Sequence, residues 1–137
     1  MGKEKIKFFN KYSINLKSFL PTARKLSAKI LKQFKGKACF IFVSDRETKR
    51  LNKVFLGKNY ATDVITFNLP LNHRQKIGEV YICVPQAARQ ARKYGHHLYC
   101  ELLILTVHGC LHLIGREDNT SKLRKAMNQE TVKLLKK

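Results

Sequence analysis

The chain has 137 residues, in which 28 lysines and arginines face 9 aspartates and glutamates, so its formal net charge is +19. This length suits a single domain with one core, and we expect residues 1–137 to form that domain. The charge predicts a polyanionic partner, nucleic acid first and an acidic membrane surface second. A lysine-rich proteome would give the same composition without such binding.

The cysteines and the N-terminus predict a cytoplasmic protein. The four cysteines show no Cys-x-x-Cys spacing and read as reduced core residues. Residues 1–5 are mostly charged and lack the apolar stretch of a secretory signal. The most apolar segment, residues 98–114, is too short to cross a bilayer and carries two histidines and Glu101.

Hydrophobic periodicity predicts alternating strands and helices in the first half of the chain. We expect a strand at residues 5–9, a helix over 18–34 and a strand over 38–43. A second helix should begin near Ser44, which forms a Ser-x-x-Glu capping box with Glu47, and should end by Gly57.

The second half predicts a hairpin followed by helices. Strands at residues 64–67 and 78–84 are joined by a polar loop, and a helix runs from Pro85 to Tyr94 with Gly95 as its cap. Residues 98–114 are apolar on nearly all sides and predict a buried central helix, followed by a last helix through Leu135. This order indicates an α+β fold, a small mixed sheet of about four strands packed with about five helices.

A possible metal site lies on the predicted central helix. His108 and His112 are one helical turn apart, so their rings share a face and can converge on one ion. Gly115 can end the helix in a left-handed turn that returns Asp118 to the same point. These three ligands with an open fourth position suit a catalytic ion, and zinc fits the nitrogen and carboxylate donors.

Two histidines at this spacing can also be ordinary core residues without a ligand. Here, however, Gly115 and Asp118 complete a spacing that metalloproteases use with histidine at the last position. Those proteases have glutamate after the first histidine as the general base, and this chain has Gly109 there. The glycine argues against a peptidase. It leaves the backbone side of the site open to a bulky substrate or, equally, permits close helix packing.

Two acidic residues are candidates for proton transfer. Glu101 lies seven residues before His108 and returns to almost the same helix face, where it would orient a histidine or take a proton. A buried ion pair with an arginine is the equal alternative. Glu117 stands beside Asp118, and a solvent molecule is a third candidate for the proton acceptor.

Residues 108–118, which read HGCLHLIGRED, resemble the motif H-G-x-L-H-L-x-G-Y-D-H of the YbeY family of bacterial rRNA maturation factors. The segment from Leu51 to Phe67 and residues 78–82 resemble further family motifs, and Glu101 stands where the family usually has glutamate. Together these matches cover about half the chain, in the family's order. Asp118 replaces the family's third histidine, and Leu56 replaces an arginine.

The resemblance implies a metal-dependent endoribonuclease that cleaves single-stranded RNA in 16S rRNA 3′ end maturation and ribosome quality control. The partners it implies are rRNA, the ribosomal subunit and a ribosomal protein. Because aspartate is an accepted zinc ligand, we expect Asp118 to preserve metal binding while making the loaded site a weaker Lewis acid. With Leu56 in place of the arginine, the chain lacks a cation that the family has. Lys58 supplies a positive charge nearby, but a lysine cannot hold a phosphate through two parallel hydrogen bonds as an arginine does.

A second hypothesis from another class stays open. The chain would be a ribosome-assembly factor that binds rRNA and a ribosomal protein, with a metal that serves structure. A metallopeptidase is the third hypothesis, and Gly109 disfavours it.

Overall fold

The computed structural model describes residues 5–58 and 62–136, and within them the chain forms four strands and five helices, as predicted. The strands are β1 (Ile6–Asn10), β2 (Gly36–Val43), β3 (Val64–Pro70) and β4 (Lys76–Cys83). The helices are α1 (Leu20–Ile30), α2 (Asp45–Leu56), α3 (Val84–Tyr94), α4 (Leu98–Leu113) and α5 (Ser121–Leu135).

The sheet is mixed, with strand order β1-β2-β4-β3. Strands β1, β2 and β4 run parallel, and β3 pairs antiparallel with β4 in the predicted hairpin. Strand β3 therefore forms one edge of the sheet and leaves one side free to border a cleft.

Helices α4 and α2 lie on opposite faces of this sheet. Val80 and Tyr81 are neighbours on β4, so their side chains point to opposite faces. Val80 lies directly against Gly109 of α4. Tyr81 packs its ring on that of Phe67, which in turn meets Phe55 of α2 at a ring-centroid distance of 5.3 Å.

Helix α4 is the buried central helix that its composition predicts. Nine of its residues are buried, and Leu102, Leu105 and Leu113 pack with the inner face of the sheet and with α1 and α3 in one hydrophobic core. No helix in residues 5–58 and 62–136 is long and apolar enough to cross a membrane. The four cysteines are free thiols, as expected, but only Cys83 and Cys110 are core residues, since Cys39 and Cys100 are partly exposed.

The predicted helix ends are confirmed where capping chemistry sets them. Ser44 Oγ accepts a hydrogen bond from the Glu47 backbone N–H at 3.2 Å, and Gly57 and Gly95 end their helices with φ of +69° and +72°. Helix α1 is shorter than predicted. Phe34 is buried as the helical spacing requires, but it lies beyond the helix, which ends at Ile30.

Candidate metal centre

The end of α4 folds back as the glycine predicts. Gly115 adopts a φ of +99°, and the Arg116 backbone N–H donates to the Leu111 carbonyl at 2.9 Å. This turn brings Asp118 to the helix, where its Oδ2 lies 3.5 Å from Nε2 of His112. Two of the three predicted ligands therefore come together.

The ring of His112 is oriented by a backbone contact. Its Nδ1 lies 3.2 Å from the Arg116 carbonyl oxygen, which can only accept a hydrogen bond. Nδ1 is therefore the nitrogen that can donate to this carbonyl, and Nε2 is the one that faces Asp118. A metal-ligating histidine commonly donates its other ring N–H to an acceptor of this kind.

His108 presents a buried nitrogen with no partner. Its Nε2 is buried and has no hydrogen-bond partner among the described residues. Burial lowers the pKa of His108 below its ordinary value; the negative charge of Asp63 opposes this effect, and the positive charge of His112 adds to it. The ring is therefore neutral near pH 7, the form that binds a metal.

The side chains fit a bound ion in chemistry, with an unpaired buried imidazole beside a histidine and a carboxylate. In residues 5–58 and 62–136, however, no group of three or more His, Cys, Asp or Glu side chains is arranged to hold a metal ion. The ligand set His108, His112 and Asp118 stays a prediction.

The buried state of His108 predicts a specific pH dependence of stability. Its pKa is lower in the folded protein than in the unfolded chain, so the unfolded chain binds a proton first as the pH falls. The stability that the neutral ring contributes is present above the unfolded value of about 6.5 and is lost as the pH falls from there through the folded pKa.

In chelator-treated protein, the free energy of unfolding should therefore fall more steeply below about pH 6.5 for the wild type than for His108→Gln. Denaturant unfolding at several pH values measures this difference. Parallel profiles for the two proteins would contradict the burial of an uncharged His108.

Glu101 is buried, as predicted for a functional or paired carboxylate, but its partners are not those expected. Oε1 lies 2.6 Å from Nε2 of His96, and Oε2 accepts a hydrogen bond from Gln90 at 2.7 Å. The carboxylate thus ties the start of α4 to α3 and pairs with a histidine, not an arginine. No contact tests its predicted catalytic role, which stays a prediction.

Glu117 is exposed and borders a cleft of about 390 Å³, which we call the His112 cleft. Side chains from the inner face of β3 form the wall opposite His112. The lining residues are Val64, Thr66, Asn68, His112, Gly115, Arg116 and Glu117. Glu117 and His112 therefore face the same open space.

Sequence reasoning missed the wall that β3 supplies. Thr66 Oγ1 is buried without a hydrogen-bond partner among the described residues, and Asn68 donates its amide to the Leu113 carbonyl at 3.2 Å. Asp63, just before β3, acts electrostatically on His108. The two-residue alternation of a strand would have placed Thr66 and Asn68 on one face, had β3 been predicted to its full length.

Gly109 serves helix packing. A Cβ at this position would lie 2.4 Å from Cγ1 of Val80, so α4 approaches β4 as closely as a backbone without a side chain allows. Of the two interpretations of Gly109, the structure supports close packing. The side of the helix at Gly109 faces the sheet and leaves no space there for a substrate.

Leu56 and Lys58 lie at the end of α2. Leu56 is 50% exposed as the last helical residue, and Lys58 is exposed beyond the Gly57 cap. The position where the family pattern has an arginine is thus an apolar side chain on the surface.

The fold and this site define an α+β protein with a histidine-rich central helix beside a cleft at the sheet edge. Residues 5–137 match the model of the family described as Endoribonuclease YbeY. The chain belongs to the YbeY family.

Relatives support this membership over the whole chain. A protein from Elusimicrobium minutum named Endoribonuclease YbeY is 39% identical over 75% of each chain. One of the same name from Phytoplasma australiense is 34% identical over 97% of this chain and 94% of its own length. The solution structure of a Thermotoga maritima protein superposes with a TM-score of 0.63 at 28% identity, covering 94% of this chain and 88% of that one.

Proposed function

We propose that this chain is a metal-dependent endoribonuclease that cleaves single-stranded RNA in the cytoplasm. The observation that carries the proposal is the buried Nε2 of His108, which has no hydrogen-bond partner among the described residues. It lies one helical turn before His112, which borders an open cleft and has Asp118 at 3.5 Å. The name that its relatives carry and the net charge of +19 both suit an RNA substrate. The proposed biological role is 16S rRNA 3′ end maturation and ribosome quality control.

His108, His112 and Asp118 would hold one divalent ion, and zinc suits their nitrogen and carboxylate donors. A bound ion would supply Lewis-acid stabilisation of the charge that develops on the phosphate. Glu117 would accept the proton of the attacking hydroxyl group, since its carboxylate is exposed in the same cleft. Both oxygens of Glu101 are engaged with His96 and Gln90, so we assign Glu101 to positioning α4 or to proton transfer after a rearrangement.

The test compares cleavage of an unstructured RNA by the wild type and by His112→Ala, both prepared free of nuclease and analysed for bound metal. We expect metal-dependent cleavage by the wild type and none by the variant. Equal cleavage by the two proteins, or no cleavage by either while both bind RNA, would overturn the proposal.

Asp118 provides a graded prediction. Asp118→Ala should weaken metal binding at least about 10-fold, because it removes a charged donor. Asp118→His should keep the metal and raise the cleavage rate, since a neutral ligand leaves more positive charge on the site. Metal titration calorimetry and cleavage rates measure the two effects. Unchanged metal affinity in Asp118→Ala would exclude it as a ligand.

A second candidate is a ribosome-assembly factor that binds rRNA and a ribosomal protein, with a metal that serves structure. The exposed apolar side chain of Leu56 favours it, since a surface cation is absent where the family pattern has one. RNA binding without cleavage, together with a metal that stabilises the fold, would support this candidate.

A further inference from the structure

A groove with basic side chains continues from the His112 cleft along the β3–β4 hairpin. A second cavity of about 480 Å³ shares Asn68 and Gly115 with the cleft, so the two are contiguous. Its charged lining residues are Lys35, Arg74 and Lys76, and no aspartate or glutamate is among the described residues that line it. We call this second cavity the basic groove.

The backbone holds two of these lysines side by side. The Lys76 backbone N–H donates to the Lys35 carbonyl at 3.0 Å. Gly36 makes this approach possible, because a Cβ there would lie 1.8 Å from the Lys76 carbonyl oxygen and its φ is +139°. The start of β2 is thereby held against the start of β4, so the side chains of Lys35 and Lys76 extend from adjacent points of the backbone.

The turn that carries Arg74 is also fixed. The Asn72 side-chain oxygen accepts hydrogen bonds from the backbone N–H groups of Arg74 at 2.8 Å and Gln75 at 2.9 Å. The Leu71 N–H closes the same turn by donating to the Gln75 carbonyl at 2.9 Å. An asparagine that bonds to the backbone two residues on is a self-supporting turn, so Arg74 is presented from a defined position.

Several carbonyl groups at the C-terminal end of α4, near the junction of the two cavities, are hydrogen-bonded. These bonds reduce the repulsion that free carbonyl groups at a helix C-terminus, with their partial negative charge, would exert on a phosphate. Asn68 donates its amide to one of the bonded groups, the Leu113 carbonyl, at the point that both cavities share. The Arg116 and Gly115 backbone N–H groups occupy two more, those of Leu111 and His112.

The distance matches a short stretch of nucleic-acid backbone. Thr66 lines the His112 cleft, and Pro70, which pairs with Lys76, lies four residues further along β3. At about 3.3 Å per residue the two points are about 13 Å apart, a span of a few nucleotides. The basic groove is therefore close enough to hold phosphates adjacent to one that reacts at His112.

We propose that the basic groove binds the sugar–phosphate backbone of the single-stranded RNA segment that flanks the scissile bond, chiefly through Lys35, Arg74 and Lys76. This inference rests on the proposed function and extends it to the path of the substrate. Contacts of this kind position a strand without reading its sequence. Charge complementarity calls for a polyanion, and the contiguity of the groove with the His112 cleft favours RNA. An acidic protein segment is the alternative that the test must distinguish.

The test compares two double variants with matched charge changes. Arg74→Gln/Lys76→Gln removes one arginine and one lysine from the basic groove and leaves the backbone hydrogen bonds in place. Arg46→Gln/Lys49→Gln removes the same pair from exposed positions of α2, on the other face of the sheet. Binding of a fluorescent single-stranded RNA is measured over a series of salt concentrations, together with cleavage, metal content and thermal unfolding.

We expect the groove variant to lower the slope of log affinity against log salt by about 1.4, since each lost phosphate contact on a single strand contributes about 0.7. At about 0.1 M salt this corresponds to about 25-fold weaker binding. The α2 variant should lose much less affinity, and both should keep the wild-type metal content and unfolding temperature.

Equal loss of affinity in the two variants would overturn the proposal that the basic groove binds RNA. Cleavage by the wild type would still support the proposed function in that case. Polyglutamate binding that matches RNA binding and depends on Arg74 and Lys76 would assign the groove to an acidic protein segment instead. A wild type that binds RNA through the groove but never cleaves it would contradict the proposed function and leave the groove in place.

Discussion

Replacing His112 by alanine should lower the affinity of the protein for a divalent metal at least about 100-fold, because loss of even an outer-shell partner costs about 10- to 100-fold. The structure sets up His112 for this role through one ring nitrogen near the Arg116 carbonyl and the other 3.5 Å from Asp118. Removing the ring takes away a donor and leaves the Asp118 carboxylate without its neighbour. Calorimetric titration of chelator-treated protein with zinc measures the change.

His73→Ala is the matched control, because it removes a histidine from the exposed β3–β4 turn and not from α4. It should bind zinc like the wild type. Equal zinc affinity in His112→Ala and the wild type would place the metal elsewhere or exclude it. A parallel loss in both variants would indicate binding to surface histidines in general.

The second large effect concerns stability. Gly109→Ala should destabilise the fold by about 2–3 kcal/mol, despite the better helix propensity of alanine, because the new methyl group would lie 2.4 Å from Cγ1 of Val80. Val80 is β-branched, fully buried and has little rotamer freedom with which to move away. For a chain of this size the unfolding temperature should fall by about 8–12 °C.

The double variant Gly109→Ala/Val80→Ala identifies the cause. Trimming Val80 alone creates a cavity and also destabilises, but it removes the atoms that the methyl group added at position 109 would strike. The two changes should therefore interact favourably by about 1–3 kcal/mol in a double-mutant cycle of unfolding free energies. Additive losses would show that Gly109 is needed for some reason other than its contact with Val80.

The parts of this fold that depend on local signals were predictable. The Ser44 cap, the glycine ends of α2 and α3, and the apolar composition of α4 each act over a few residues, and the structure confirms them. Helix α1 was predicted too long because Phe34 has the right spacing for burial, and burial does not require it to be helical. Strand β3 was predicted too short, since its last residues are polar or exposed and only pairing with β4 reveals them.

The local geometry of the candidate site was predictable where it depends on neighbouring residues. The turn at Gly115 that returns Asp118 to His112 follows from local sequence and is confirmed. The hydrogen-bond partners of Glu101 were not predictable, because Gln90 lies on α3 and its approach to Glu101 depends on how the two helices pack. The meaning of Gly109 was left open since it depends on Val80, a residue distant in sequence. The basic groove joins Lys35 to Arg74 and Lys76 only through pairing of β2 with β4.

The proposed function requires that RNA cleavage depend on one metal ion held at the end of α4. Its most direct test is to strip the protein with a chelator, add zinc in substoichiometric steps, and measure the rate of single-stranded RNA cleavage at each step. We predict no cleavage by the stripped protein and a rate that rises linearly and reaches a plateau at about one ion per chain. Undiminished cleavage by the stripped protein, or a rate that does not respond to zinc or any other divalent metal, would contradict this requirement.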